Sequence, residues 1–224
     1  MKKRKTFIVG DVHGCFQEFS ALLKKVNYKI ETHRLILVGD IINRGPFSLK
    51  MLKWVKDNKI EMVRGNHEQA FLTGIETSQW ASPLLKQLKE EMTKHVNQWV
   101  KWLSSLPFYI EEKGFVVVHA GLVPKEKPQY SDPHLLMNIR TWDGQGADIK
   151  NETNPPWYKF YKNKKLVVYG HWAKQGLQVR SNTIGLDSAC VYGKKLSGVL
   201  LPERTIIQVS ALQNYSSRFL KNSK

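Results

Sequence analysis

Five short motifs run in order along this chain, each directly after a strongly apolar stretch. They are Gly10-Asp11-Val12-His13-Gly14, Gly39-Asp40 through Arg44-Gly45, Gly65-Asn66-His67-Glu68, His119-Ala120-Gly121 and Gly170-His171. An apolar run that stops at a turn bearing acids, amides or imidazoles reads as a buried strand ending in a functional loop. One such coincidence is a turn. Five in order require a fold that gathers strand ends at one place. Asp11, His13, Asp40, Asn66, His119 and His171 make an oxygen and nitrogen donor set suited to two adjacent divalent cations.

The rhythm between motifs predicts an α/β chain. Phe7-Ile8-Val9 reads as a buried strand, and Phe16 to Val26 carries Phe16, Phe19, Leu22, Leu23 and Val26 at helical spacing. Leu35 to Val38 is the next strand, Phe47 to Lys56 the next helix, and Ile60 to Val63 a third strand. About 69–110 keeps a helical period through Leu84, Leu85, Leu88, Met92, Val96, Trp99, Val100 and Leu103, and reads as a helical insertion placed to cap the site. Trp80, Trp99 and Trp102 are either its core or a surface for stacking bases.

Val116–Val118 and Leu166–Val168 are expected strands, while 122–165 looks loop-dominated. Thr183–Leu186, Leu196–Leu201 and Ile206–Val209 alternate as strands and suggest a second sheet packed on the first. The expected architecture is a central β-sandwich flanked by helices. One domain covers 1–213, and a basic tail covers 214–224.

The 224 residues carry a formal net charge of +16, which predicts attraction to polyanions. Cys15 and Cys190 form neither a metal spacing nor a disulfide framework. No apolar run approaches the ~18 residues of a membrane span. Lys2-Lys3-Arg4-Lys5 is followed by too short an apolar run for a signal peptide. The expectation is a cytoplasmic protein whose first strand starts there.

The donor set suggests a two-metal phosphoester or phosphoanhydride hydrolase. Asp40 is the candidate bridge, Asp11 and His13 complete one site, and Asn66, His119 and His171 complete the other. Mn²⁺ is the first choice, with Zn²⁺, Fe²⁺, Co²⁺ or Mg²⁺ as alternatives. With Asn66 as ligand and substrate neighbour, His67 is left free as general acid. Arg44 and Arg140 are candidate phosphate clamps. Lys159, Lys162, Lys164 and Lys165, among Tyr158, Phe160 and Tyr161, offer either a polyanion surface or a solvated loop.

These motifs resemble the calcineurin-like metallophosphoesterases of the phosphoprotein-phosphatase superfamily, over nearly the whole span from Gly10 to His171. The resemblance implies the metal, acid and phosphate roles just given. Serine/threonine protein phosphatases carry an aspartate where this chain has Asn43. Asn43 with Pro46, and the segments Tyr169 to Leu177 and Gly185 to Gly193, are similar to the symmetrical dinucleoside-tetraphosphate hydrolases and ApaH-like phosphatases. The implied substrates are polyanions: dinucleoside polyphosphates, capped RNA or inorganic polyphosphate. A neutral Asn43 withholds a charge that would raise the pKa of His67, which favours good leaving groups. The alternative is a serine/threonine protein phosphatase acting on a phosphoprotein. A third reading is a basic RNA-binding module with residual catalytic residues.

Overall fold

The structure is a computed structural model and describes residues 4–216. The first half contains β1 (Lys5–Val9), α1 (Phe16–Lys25), β2 (His33–Leu37), α2 (Ser48–Asp57), β3 (Glu61–Met62), α3 (Asn66–Thr77), α4 (Pro83–Met92) and α5 (Val96–Ser104). There follow β4 (Tyr109–Glu111), β5 (Phe115–Val118), α6 (Pro133–Asn138), β6 (Leu166–Tyr169), β7 (Gln178–Val179), β8 (Thr183–Gly185), β9 (Lys195–Leu201) and β10 (Thr205–Ser210).

Ten strands form two five-stranded mixed sheets, ordered β10-β9-β1-β2-β3 and β4-β5-β6-β8-β7. In the first sheet β1, β2 and β3 run parallel, and β9 joins β1 antiparallel. In the second, β5, β6 and β8 run parallel, with β4 and β7 antiparallel at the edges.

Alternation along each strand explains the layering. Ile8, Ile36, Val38, Val117, Val168, Ile184 and Val199 form the seam between the two sheets. Phe7, Val9, Leu35 and Leu37 point the other way, onto Phe19, Leu22, Met51, Leu52 and Phe71 of the helices. Val116, Val118, Val167 and Tyr169 cover the far side with Leu136, Ile139 and Trp157. Strands buried on both faces read as unbroken apolar runs. Each fully buried aliphatic side chain in the seam contributes about 1.5–3 kcal/mol relative to exposure.

Several expectations change in detail. Of the three late strands expected from alternation, β9 and β10 belong to the first sheet and β8 joins the second, where β7 pairs with it. α6 lies within the stretch read as loop, started by the Asp132 side chain accepting from His134 N–H and by Pro133 in its first turn.

The helical segment packs on the flank, and Ser82 at the start of α4 reaches Asn43 in the loop after β2. Leu85, Leu88, Met92, Trp99 and Leu103 enter the helix–sheet core. Trp80 packs on Phe71, and Trp102 packs edge-on against Trp99, so these rings serve packing. Similarly, Tyr158 lies under the Arg180 guanidinium at 3.6 Å, Tyr161 donates to the Lys165 carbonyl, and Lys165 pairs with Glu111.

Within the stretch expected as a tail from 214, the described residues are packed. Tyr215 is buried and donates to Glu18 Oε1 at 2.7 Å, and Asn214 bridges to Tyr192. Residues 217–224, like Lys2 and Lys3, lie outside the described residues. Among the described residues, no helix is long and apolar enough to cross a membrane.

Candidate active site

Six parallel strands each deliver one polar side chain from the loop at their carboxyl end. β1 gives Asp11, β2 gives Asp40 and β3 leads to Asn66, which opens α3; β5 gives His119, β6 gives His171 and β8 gives Asp187. Asp11, His13, Asp40, His67, His119, His171 and Asp187 are all buried.

The loops are bound to one another. Asp40 O accepts from His13 N–H at 2.8 Å, and Gly14 N–H donates to Ile41 O at 2.8 Å. His171 N–H donates to both Asp11 carboxylate oxygens at 3.1 Å. Gly170 permits this approach, because a Cβ there would overlap the Asp11 carboxylate. His13, Asp40, Asn43, Arg44 and His171 all hold positive φ, between 48° and 69°. Non-glycine residues in that region are strained, and such strain gathers at functional sites.

Backbone carbonyls set the imidazole tautomers, since a carbonyl can only accept. His13 Nδ1 donates to Ile42 O at 3.0 Å and His119 Nδ1 to Val38 O at 2.8 Å, which frees both Nε2 atoms as ligands. The freed His119 Nε2 then faces two acceptors, Asp40 Oδ2 at 3.4 Å and Asn66 Oδ1 at 2.9 Å. Lone pairs so placed need positive charge between them. Burial lowers the His119 pKa, but Asp40 outweighs it and raises the imidazole to about 10.

Asp40 also feels burial first, which pushes it up. His119, His67 and His13 reverse this and hold it well below the usual carboxylate range. Asp11 moves the opposite way: burial and the neighbouring Asp187 raise it. Asp187 is itself raised by burial, to about 6. Burial lowers His13 and His171.

Two ligand clusters share Asp40: His13, Asp40 and His67, and Asp40, His119 and His171, with ligand atoms within 4.8 Å of one another in each. The second contains three of the four groups expected there, and Asn66 Oδ1 lies 2.9 Å from His171 Nδ1. The first closes on His67, whereas Asp11 faces the Gly170–His171 turn. His171 Nε2 is buried without a partner. Crowded acids, freed imidazole nitrogens and this orphaned atom fit divalent cations.

His67 is held by Asn43. The Asn43 Oδ1 accepts from Arg44 N–H at 2.9 Å and from Ser82 Oγ–H at 2.9 Å. The amide nitrogen therefore faces His67 Nδ1, at 2.7 Å. Nδ1 must accept, so the proton of the neutral ring sits on Nε2, which lies 3.8 Å from Asp40 Oδ2. Burial lowers the His67 pKa and supports that neutral state.

Arg44 donates to His13 Nε2 at 3.1 Å. It lines an open cavity of about 360 Å³ together with Arg140, His171, Trp172, Tyr192 and Lys194. Arg140 Nε is buried and unpartnered.

Three neighbours have roles that the motif reading did not assign. Glu68 accepts from the backbone N–H groups of Asp40, Ile41 and Gly65 at 2.8–3.0 Å, tying the second and third loops together. Its signal is a Glu three residues after a helix-capping Gly65. Asp187 repeats the strand-then-acid pattern of Asp11. Ser82 carries no sequence signal for a role here, because its contact with Asn43 spans 39 residues.

A calcineurin-like phosphoesterase family model matches residues 4–175. The asymmetrical bis(5'-nucleosyl)-tetraphosphatase PrpE of Bacillus velezensis is 28% identical, covering 95% of each chain. The symmetrical bis(5'-nucleosyl)-tetraphosphatase of Methylobacillus flagellatus is 29% identical, over 91% of this chain and 94% of that one. A crystal structure of a candidate diadenosine tetraphosphatase superposes with a TM-score of 0.83 at 30% identity, covering 94% of this chain and 95% of that one. Strand-end chemistry, sandwich and matched family model agree: this chain belongs to the calcineurin-like phosphoesterases and is a hydrolase.

Proposed function

We propose that the chain hydrolyses phosphoanhydride bonds in dinucleoside polyphosphates, dinucleoside tetraphosphates first, using two divalent cations of which manganese is the first choice. The observation that carries this reading is the Asn43 amide against His67 Nδ1. An amide there keeps the ring neutral with Nε2–H outward, a hydrogen-bond donor rather than a strong acid. Such a donor suffices for a departing nucleoside phosphate, whose charge is stable in water, and serves a serine alkoxide poorly. The names of the relatives point to the same substrates.

Asp40, His13, Asn66, His119 and His171 would hold the cations, with Asp11 beside them. When bound, such cations supply charge neutralisation and a water acidic enough to lose its proton near neutral pH. The chain's own groups do the rest. Arg44 and Arg140 clamp non-bridging oxygens from the cavity they share, and their guanidinium forks favour in-line placement. His67 Nε2–H donates to the leaving oxygen. The compartment in this reading is the cytoplasm, where Cys15 and Cys190 stay reduced.

The test is turnover with Mn²⁺, Mg²⁺, Zn²⁺ or Co²⁺ on diadenosine tetraphosphate, capped RNA, inorganic polyphosphate and a phosphothreonine peptide. Preference for the dinucleotide, greatest with Mn²⁺ and abolished in Asp40→Ala, is the expected result. Faster release from the peptide would overturn the substrate reading in favour of a protein phosphatase.

A further inference from the structure

The cavity beside the site holds a group that phosphate chemistry does not use. Arg44, Arg140, Lys174 and Lys194 line it without a carboxylate among its lining residues, and among the described residues the ion pair seen at these four is Lys174 with Glu152. Into this cationic mouth projects the Tyr192 ring, with 37% of the residue exposed. Guanidinium and ammonium groups account for binding a polyphosphate; an aromatic face does not. At about 360 Å³ the cavity falls within the ~300–1,000 Å³ range of small-molecule pockets.

The ring is also held in place. Tyr192 N–H donates to Ala189 O at 3.1 Å, Gly193 N–H to Cys190 O at 2.9 Å, and Lys194 N–H to Ala189 O at 3.2 Å. Ala189 sits at φ 61°, and Cys190 and Val191 are buried beneath the turn. Tyr215 N–H closes it from the other side, donating to Val191 O at 2.9 Å. The Arg44 guanidinium lies 5.5 Å from the Tyr192 ring centroid, which links the ring to the phosphate clamp. A half-open aromatic fixed on a braced turn loses little entropy on binding.

We infer that Tyr192 and Lys194 form a nucleoside subsite, the ring stacking on a base while the Lys194 ammonium meets the adjoining phosphate. This rests on the anhydride-hydrolase reading and deepens it, because it separates nucleotides from inorganic polyphosphate. Stacking on a lone ring is tolerant of base identity, so adenine and guanine dinucleotides should be used alike.

The experiment compares wild type, Tyr192→Ala, Tyr192→Phe and Lys194→Ala on diadenosine tetraphosphate and on inorganic tripolyphosphate. The expected result for Tyr192→Ala is a roughly tenfold higher KM for the dinucleotide, about 1.4 kcal/mol, with tripolyphosphate changed less than twofold. Tyr192→Phe should stay near wild type. Lys194→Ala should weaken both substrates. Equal loss on both substrates in Tyr192→Ala would mean that the ring only positions Arg44, and would overturn the subsite. An unchanged dinucleotide KM would do the same.

Calorimetric titration of wild type and Tyr192→Ala with ADP and with pyrophosphate tests the subsite independently of turnover. The ring should favour ADP over pyrophosphate in wild type only; an equal preference in both proteins would overturn the subsite. A wild type that cleaves neither substrate would sink the hydrolase reading, and the titration would still show whether the ring binds a nucleoside.

Discussion

Replacing Asn43 by Asp tests the proton logic of the site with almost no change in shape. Asn43 sits at φ 69°, a conformation that Asp also tolerates. One carboxylate oxygen keeps the Ser82 and Arg44 donors now on Oδ1. The other replaces the amide nitrogen 2.7 Å from His67 Nδ1 and calls for a hydrogen on that atom. Every donor stays satisfied, so folding should be intact.

Unit charges about 4 Å apart at an effective dielectric near 20 interact by roughly 4 kcal/mol, an upper bound before desolvation. A neighbouring opposite charge typically shifts a pKa by about 1–3 units, or roughly 1.4–4 kcal/mol. The His67 value, lowered by burial in the wild type, therefore rises, and the protonated ring persists to higher pH. In a pH–kcat profile the variant should acquire an alkaline limb, about 1–3 units above the wild-type His67 value, that the neutral wild-type donor lacks. The variant should also gain on phosphothreonine peptide relative to diadenosine tetraphosphate, since an imidazolium can protonate an alkoxide. A profile without that new limb, together with an unchanged substrate ratio, would refute the assigned role of Asn43 and of His67 as leaving-group donor.

Gly170→Ala should lower kcat at least about 100-fold with far-UV circular dichroism unchanged, because the new Cβ displaces the Asp11 carboxylate and misplacement on this scale is costly; activity near wild type would contradict the packing. Glu68→Ala removes a carboxylate that accepts three backbone hydrogen bonds. Such bonds contribute about 1.5–3 kcal/mol each, and the burial that raises Glu68 to about 7 offsets part of this. A net loss of roughly 3 kcal/mol should appear as a lower urea midpoint. Tyr215→Phe removes the hydroxyl donor that Glu18 Oε1 has beside the Leu212 N–H, and should lower stability by about 1–2 kcal/mol without altering kcat.

The sheet-forming runs were legible because double-sided burial leaves little but Val, Ile, Leu and Phe in them, and each ends on a polar motif. What stayed hidden is what depends on distant pairing. Val199 and Ile8 are adjacent in the first sheet, yet alternation in residues 196–209 could not say which sheet those strands would join. α6 was concealed by the Pro and Asn around it, although Asp132-Pro133 is a sound helix start. The six expected ligands lie on facing loops, but spacing could not distinguish Asp11 from His67 as the third member of the His13 cluster. Ser82 is recognised by proximity alone, whereas Asp187 follows an apolar run as Asp11 does and stood unread.

The position of β1 bears on how such a chain is made. It precedes the other strands of this fold and carries Asp11 at its end, yet it lies between β2 and β9, and β9 spans residues 195–201. Until those residues leave the ribosome, one flank of β1 remains an open row of amide and carbonyl groups able to pair with another nascent chain. Synthesis of this fold thus ends with its most exposed interval, and chaperone demand should fall sharply once the β9–β10 hairpin closes over it.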